Sequence, residues 1–313
     1  MKKSTANMRA IINCDKTFNR FNDAFVKFLF STEKHKNFLI DLLNAVFAER
    51  RPPCVSGQVL DVTFADREMP PFHDAAKYSR LDIRALTDSG QMINIEVQSG
   101  FDKYLKDRNL FYFSKLFSEQ LTAGMDYSQL KPVVIINLLA VNYFPTRKDY
   151  ISSYSLHEDK DHELMTDKVN FIFIEAQKCQ QMGDKNKSRL TRWMTYLTYP
   201  SSEVVYQLAQ IDKIIAQVME AETMFCSTPQ EVHLYEAQEK LRLDMLTRER
   251  TAKAEGKAEG FAEGRSEGKA EGFAEGRTET LLEIISNLKN LGCTREQMKA
   301  ITKLNDEQLA QLL

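Results

Sequence analysis

Apolar and polar residues alternate in two short segments, 80–87 and 91–98, and this period of two predicts a pair of β-strands. Between them, residues 88–90 read Asp-Ser-Gly. A three-residue loop with glycine last is typical of a type I turn that closes on a left-handed residue. Counting outward from this turn predicts an antiparallel hairpin in which Asp82 lies directly opposite Glu96.

The other face of the predicted hairpin is apolar and is expected to face the core. It consists of Ile83, Ala85, Ile93, Ile95 and Val97. A shift of one residue in the strand pairing would turn this whole set towards solvent, so the pattern specifies one register.

The opposed carboxylates of Asp82 and Glu96 need a counter-charge, because like charges directly opposite each other destabilise a strand pair. A divalent metal ion would supply that charge. The alternative is that Arg84, on the same face, neutralises Asp82 and that the strands merely have a polar side. The residues alone leave both readings open.

Longer-range patterns predict the elements around this hairpin. Helical spacing of apolar residues predicts helices over 18–48 and over about 104–123, whereas the proline-containing stretch 49–79 is expected to be mostly loop with a short strand near 59–64. Continuous apolar runs at 133–139 and 169–174 are typical of strands buried on both faces. The fold class is therefore expected to be α/β, with a mixed central sheet flanked by helices.

The helix predicted at 104–123 has two distinct faces. One is an apolar stripe of Leu110, Phe113, Phe117 and Leu121. The other carries Arg108, Tyr112, Lys115 and Glu119 at steps of three and four, so that Arg108 and Tyr112 project together.

The C-terminal third of the chain has a different sequence pattern from the rest. Residues 203–250 are expected to be helical, and residues 253–279 are a low-complexity repeat with glycine at every fourth position from 256 to 276. The glycines leave two readings open, disorder or a close-packed helical oligomer. Residues 281–313 return to an amphipathic pattern, with a capping box at Thr294 and Gln297. They predict a small helix-turn-helix-like tail.

Composition narrows the class of protein. The 313 residues carry a net charge of −2, so any contact with nucleic acid requires a local basic patch. The five cysteines are scattered and form no C-x-x-C pair, which indicates a reducing compartment and neither a disulfide framework nor a zinc site. No signal-peptide pattern follows the N-terminus, and the longest apolar run, 133–141, is too short to cross a bilayer. We therefore expect a cytoplasmic protein without a membrane partner.

The hairpin resembles the core of the PD-(D/E)XK nuclease superfamily, in which an acidic residue at a strand start is followed by a turn and a strand carrying the second acid. The Ile-Glu-Val-Gln sequence at 95–98 is most similar to the bacterial recombination-promoting nuclease and putative transposase family. Four further segments extend the resemblance over residues 18–180. They are the opening helix with Asp23, Phe25 and Lys27, the lysine at Lys77, the pair Arg108 and Tyr112, and the strand 171–178 with Glu175 and Lys178.

This resemblance implies a restriction-endonuclease-like core and a Mg²⁺- or Mn²⁺-dependent DNA endonuclease linked to recombination or mobile elements. The metal ligands would be Asp82, Glu96 and the backbone carbonyl of Val97. Gln98 takes the position where most of the superfamily has lysine, and it carries no charge. Further catalytic residues would be Lys27, Lys77, Arg108 and Tyr112. Glu175 and Lys178 would either close the rim of the site or pair at a strand end.

The expected organisation is a nuclease-like domain at 1–200, a helical extension at 201–252, the Glu-Gly repeat at 253–280 and the small helical tail at 281–313. The chain carries one Asp–Glu pair, so cutting both DNA strands would require two protomers, joined through the tail. Two rival functions stay open: a non-catalytic DNA-binding or oligomeric scaffold with this fold, and a true transposase. The absence of a D-D-E arrangement counts against the transposase.

Overall fold

The computed structural model describes residues 18–50, 57–65, 68–69, 79–80, 82–181, 188–198 and 203–312. The chain forms two compact units, Met1–Lys240 and Leu241–Leu313. The helices of the first unit are α1 (Asp23–Phe30), α2 (Lys36–Glu49), α3 (Leu105–Ser118), α4 (Ala176–Gln181), α5 (Arg189–Thr198), α6 (Glu203–Ile211) and α7 (Lys213–Ser227). The long helix α8 (Pro229–Asn290) begins in the first unit and ends in the second.

A mixed six-stranded sheet forms the centre of the first unit. Its strands are β1 (Val62–Phe64), β4 (Ile83–Thr87), β5 (Met92–Gln98), β6 (Val133–Leu139), β8 (Val169–Glu175) and β7 (Ile151–Tyr154), in that spatial order. The pairs β5–β6 and β6–β8 are parallel and the others are antiparallel. Two short strands, β2 (Glu68–Met69) and β3 (Ser79–Arg80), pair separately. The expected α/β class, a mixed sheet flanked by helices, is confirmed.

The predicted register of the hairpin is confirmed. Arg84 pairs with Asn94, and the Gly90 N–H donates to the carbonyl of Thr87 at 2.9 Å with Gly90 at φ +85°. The ladder begins at Ile83, so Asp82 lies one residue outside the strand instead of within it. This position frees the Asp82 backbone from the ladder and lets its side chain reach the neighbouring strand.

One face of the sheet packs against α1, α2, α5 and α7. The predicted apolar face of the hairpin is buried here together with residues from these helices, among them Phe25, Leu43, Trp193 and Phe225. The helix predicted at 18–48 is broken at residues 31–32. The hydroxyls of Ser31 and Thr32 donate to the carbonyls of Lys27 and Phe28, which ends α1.

The opposite face of the sheet is covered by α3. The apolar stripe predicted for this helix is only partly correct. Phe113 and Phe117 pack on the sheet, but Leu110 is 55% exposed and the helix ends before residue 121. Asn109 is buried instead and donates to the Asn137 side chain at 3.0 Å. The sheet is polar beneath this part of α3, so a polar side of the helix faces it.

Several features of the first unit were missed in the sequence, among them β2, β3 and α5. Strand β7 lies at the sheet edge, where its central Ser152 and Ser153 give no apolar signal. The helix predicted at 203–250 is divided at Asp212, whose side chain accepts from the N–H groups of Ile214 and Ile215 and so begins α7.

In the second unit, the repeat is helical and forms part of α8, with each of its residues exposed. Helices α9 (Arg295–Thr302) and α10 (Asp306–Leu312) follow. The predicted capping box at Thr294 and Gln297 is confirmed. Ile285, Met298 and Leu309 form the small core of this unit. No helix in the described part of the chain is both long enough and apolar enough to span a bilayer.

Candidate active site

Asp82 is held at the start of β4 by the neighbouring strand. Its Oδ2 accepts the backbone N–H of Val97 at 3.0 Å, and its Oδ1 lies 3.9 Å from the Nζ of Lys27. That ammonium bonds Asp23 more closely, at 2.6 Å. Removal from water, and then the charge of Asp23, raise the pKa of Asp82, while the Val97 N–H, Lys27 and Arg108 lower it.

Glu96 is more deeply buried, with 3% of the residue exposed. Its Oε1 accepts from the side-chain amide of Asn94 at 3.0 Å, and its Oε2 lies 3.9 Å from Nη2 of Arg108. Burial, and next the charge of Asp82, raise the pKa of Glu96 to about 8, against the opposing effects of Asn94 and Arg108. The charge of Asp82 therefore acts on the Glu96 carboxyl and disfavours its ionised form.

Helix α3 turns Arg108 and Tyr112 towards these acids. Arg108 donates through Nη1 to Asp102 at 3.0 Å and so lies between Asp102 and Glu96. Burial, followed by the charge of Glu96, raises the pKa of Tyr112 to about 12. The phenol therefore stays protonated at neutral pH and can donate a hydrogen bond.

Val97 and Gln98 continue β5 beyond Glu96. The carbonyl of Gln98 accepts from the N–H of Ala140, which follows β6. Successive residues of a strand alternate in direction, so the backbone of Val97 points the other way, towards Asp82. By the same alternation, the half-exposed Gln98 side chain shares a sheet face with Glu96. Lys77 lies outside the described residues.

Three polar neighbours of the acids were not singled out as site residues in the sequence: Asp23, Asn94 and Asp102. The spacing of Asp23 and Lys27 is a signal for a helical ion pair, and Asn94 shares the strand face of Glu96. Nothing local marks Asp102. The alternative was that Arg84 neutralises Asp82. In the structure the Arg84 guanidinium pairs with Glu119, just beyond the C-terminus of α3.

Comparison with known proteins identifies a matching family model. A family model described as "PD-(D/E)XK nuclease family transposase" matches residues 20–252. The chain belongs to this family. The match runs from α1 through the acidic hairpin and α3 into α8, and it confirms the expected recognition. Neither the curated proteins nor the solved structures include a significant match.

Glu175 and Lys178 resemble a late segment of PD-(D/E)XK proteins that was expected to be one strand over 171–178. In the structure β8 ends at Glu175 and Lys178 lies in α4. Lys178 Nζ pairs with the fully buried Glu175 carboxylate at 2.6 Å and donates to the Phe144 carbonyl at 2.8 Å. Glu175 also accepts the backbone N–H groups of Tyr143 and Phe144. Of the two roles left open, pairing at the strand end is therefore the one observed, and the pair anchors the loop after β6.

The donor set of a PD-(D/E)XK site is compatible with a small divalent cation. Asp82 and Glu96 offer carboxylate oxygens, and Mg²⁺ typically takes one or two carboxylates, with waters and substrate phosphate completing its shell. The described residues contain no group of three or more His, Cys, Asp or Glu side chains placed for a metal. The carboxyls with raised pKa values would also gain a counter-charge from such an ion.

Proposed function

We propose that this PD-(D/E)XK family member is a metal-dependent DNA endonuclease that acts in recombination or on mobile elements. The observation that carries the proposal is the pair of interacting carboxyls, Asp82 and Glu96. A hairpin of defined register brings them together and buries Glu96, although their charges repel.

In this proposal, Asp82, Glu96 and the Val97 carbonyl hold Mg²⁺ or Mn²⁺. When bound, such an ion supplies Lewis acidity at the phosphate and lowers the pKa of a coordinated water. The chain must keep both carboxyls ionised for binding, and the Val97 N–H, Asn94 and Arg108 favour that ionised form.

The remaining residues would act on the substrate. Gln98 orients the attacking water or a phosphate oxygen through its amide, and Arg108 places positive charge near the developing phosphate charge. Tyr112 donates its phenolic proton to an oxygen without losing it. Lys27, and Lys77 as implied by the family resemblance, would add positive charge. One Asp–Glu pair per chain supports pairing of two protomers, which we assign to the C-terminal tail.

A plasmid-nicking assay with Mg²⁺, Mn²⁺ or EDTA tests the proposal. We expect nicking by the wild type in either metal, none in EDTA, and a loss of at least about 100-fold in Asp82→Ala and Glu96→Ala, because metal-based charge stabilisation contributes several kcal/mol. Both variants should fold and, without metal, be as stable as the wild type or slightly more so, because each removes a carboxyl whose ionised form is disfavoured by burial. Glu220→Ala, an exposed acid on α7, is the matched control and should cut normally.

Equal, metal-independent cutting by all proteins would indicate a contaminating nuclease and reject the proposal. DNA binding without cutting in any metal would instead make the chain a non-catalytic binding or scaffold protein with a nuclease fold.

A further inference from the structure

A row of aromatic rings begins directly after the acidic strand. Phe101 stacks on Tyr143 with centroids 5.3 Å apart, Tyr143 contacts Phe144 at 5.0 Å, and Phe144 contacts Tyr154 at 6.1 Å. We call these four residues the aromatic row. It runs from the loop that follows Gln98 to the edge strand β7.

Cationic side chains lie over this row and beside it. The Nζ of Lys106 is 5.1 Å from the ring centre of Phe144, and the guanidinium of Arg147 is 5.2 Å from Phe144 and 5.3 Å from Tyr154. In the loop itself, Lys103 lies 4.7 Å from the ring of Tyr104. All three cations are exposed, whereas Tyr143 and Phe144 are buried beneath them.

Two rings between Gln98 and the first residue of α3 are largely in solvent. Phe101 is 65% exposed and Tyr104 is 60% exposed. Packing of the chain on itself does not account for two adjacent exposed rings flanked by lysines. Exposed rings of this kind offer faces on which a planar ligand can stack.

The loop that carries these rings is fixed relative to the carboxyls. Asp102 accepts the backbone N–H of Tyr104 at 2.8 Å and pairs with Arg108, which reaches Glu96. The charge of Asp102 is thereby offset by an arginine. A ligand on Phe101 and Tyr104 would therefore be held at a set position beside the acidic site.

The far end of the aromatic row borders a cavity of about 270 Å³. Its walls are mostly apolar and include Tyr154 and Phe173, with Lys106 at one side. Asn109 also lines it, and its buried Oδ1 has no hydrogen-bond partner within the described structure. A planar group with a hydrogen-bond donor, such as a base with an exocyclic amine, fits this chemistry.

We propose that Phe101 and Tyr104, with Lys103, Lys106 and Arg147, bind unpaired nucleotides, so that the substrate carries a single-stranded segment beside the phosphate to be cut. This rests on the proposed nuclease function. Bases in a duplex are stacked inside it and cannot lie on protein rings, whereas single strands bind to aromatic side chains along a basic groove. Sequence tolerance follows, because every base has a face that can stack.

Fluorescence anisotropy in EDTA tests this without cleavage, with a labelled single strand, the matched duplex, and the duplex carrying a single-stranded overhang. We expect the single strand and the overhang to bind at least about tenfold tighter than the duplex, and Phe101→Ala or Tyr104→Ala to weaken that binding at least about fivefold each. Phe101→Tyr and Tyr104→Phe should restore it. Tyr127→Ala, an 80% exposed ring beyond the other end of α3, is the matched control and should change nothing.

Equal affinity for duplex and single strand, or indifference to Phe101→Ala and Tyr104→Ala, would overturn the inference. If the wild type still nicks plasmid in that case, the nuclease function stands and the exposed rings belong to another surface, such as a protein interface. Ring-dependent binding of single strands by a chain that never cuts would uphold the inference and reject the nuclease function.

Discussion

At the scale of single residues, the two acids differ because their surroundings differ. Asp82 retains 23% exposure of its side chain and accepts the Val97 N–H, whereas Glu96 is buried beneath α3 and accepts from the Asn94 amide and the Asp82 backbone. Burial destabilises the ionised form of Glu96 more than its neighbours stabilise it, which explains a pKa of about 8. Two consequences for solution behaviour follow.

The first concerns pH. Between the ordinary pKa of 4.5 and about 8, Glu96 is protonated in the folded chain and ionised in the unfolded one. The folded state then binds more protons, so the free energy of unfolding must fall as pH rises through this window and level off above it. Thermal melts in EDTA should show this fall, and Glu96→Gln should flatten it. A melting temperature that rises across the window in the wild type alone would contradict the assignment.

Metal and proton compete for the same carboxyl. Stabilisation by Mg²⁺ should therefore grow with pH up to about 8, which the same melts with added Mg²⁺ can measure.

A separate prediction concerns Gln98, which stands where most of the superfamily has lysine. We expect Gln98→Lys to retain or raise nicking, because an ammonium restores positive charge near the phosphate. Gln98→Leu, which has no polar atom, should lose activity by about tenfold or more, the range of a lost positioning contact. Initial rates of plasmid nicking decide. A severe loss in Gln98→Lys would show that the amide itself is required.

At the scale of elements, buried polar contacts hold α3 and the loop after β6 against the sheet. Asn109 and Asn137 join the helix to β6, and Glu175 with Lys178 holds the loop that supplies Tyr143 and Phe144. The aromatic row depends on that loop, so a pair remote from the acids supports the surface beside them.

Lys178→Met should lower the free energy of unfolding by about 3–5 kcal/mol, because it leaves the Glu175 charge buried without its cation. Urea denaturation followed by circular dichroism measures the change. Lys36→Met, which removes a partly exposed lysine paired with the exposed acids Glu33 and Asp61, is the control and should have little effect. Similar losses in both variants would show that the burial of Glu175 carries no special cost.

At the scale of the whole molecule, the glycine repeat is the segment that bears on oligomer formation. Six glycines at every fourth position cost a lone helix about 1 kcal/mol each, which exceeds what its few ion pairs return. A Cβ added at any of them meets nothing within 4 Å among the described residues. Packing within the described part of the chain therefore does not require the glycines, which is compatible with close approach of a second copy.

A chain ending at Arg250 should keep its fold and metal binding, because it retains Tyr235 and Glu239, which bond Asn19 and Asn22. We expect it to be a monomer that nicks plasmid more than it linearises it, whereas the full chain forms a larger species. Light scattering on both proteins measures this. Equal protomer numbers in the two would remove the tail from any role in assembly.

The sequence by itself determined the elements in which local pattern and burial agree. The hairpin register follows from a period of two and a glycine-ended turn, and the strands β6 and β8 follow from apolar runs that a single asparagine interrupts in each. Asp82 and Glu96 were placed together by counting alone, because pairing in a hairpin is a local property. Arg108 and Tyr112 needed only the helical period to be placed on one face.

Only the tertiary structure decided which distant groups surround those acids. Asp102 joins the site through Arg108, and Asn109 turns inward, leaving Leu110 outside, because the sheet beneath α3 is polar there. The breaks at residues 31–32 and at Asp212 arise from side chains that bond backbone groups at helix ends. Each outcome depends on which surfaces meet after folding. An intrinsic pattern fixes the direction of a side chain within its own element, but not the polarity of the surface it will face.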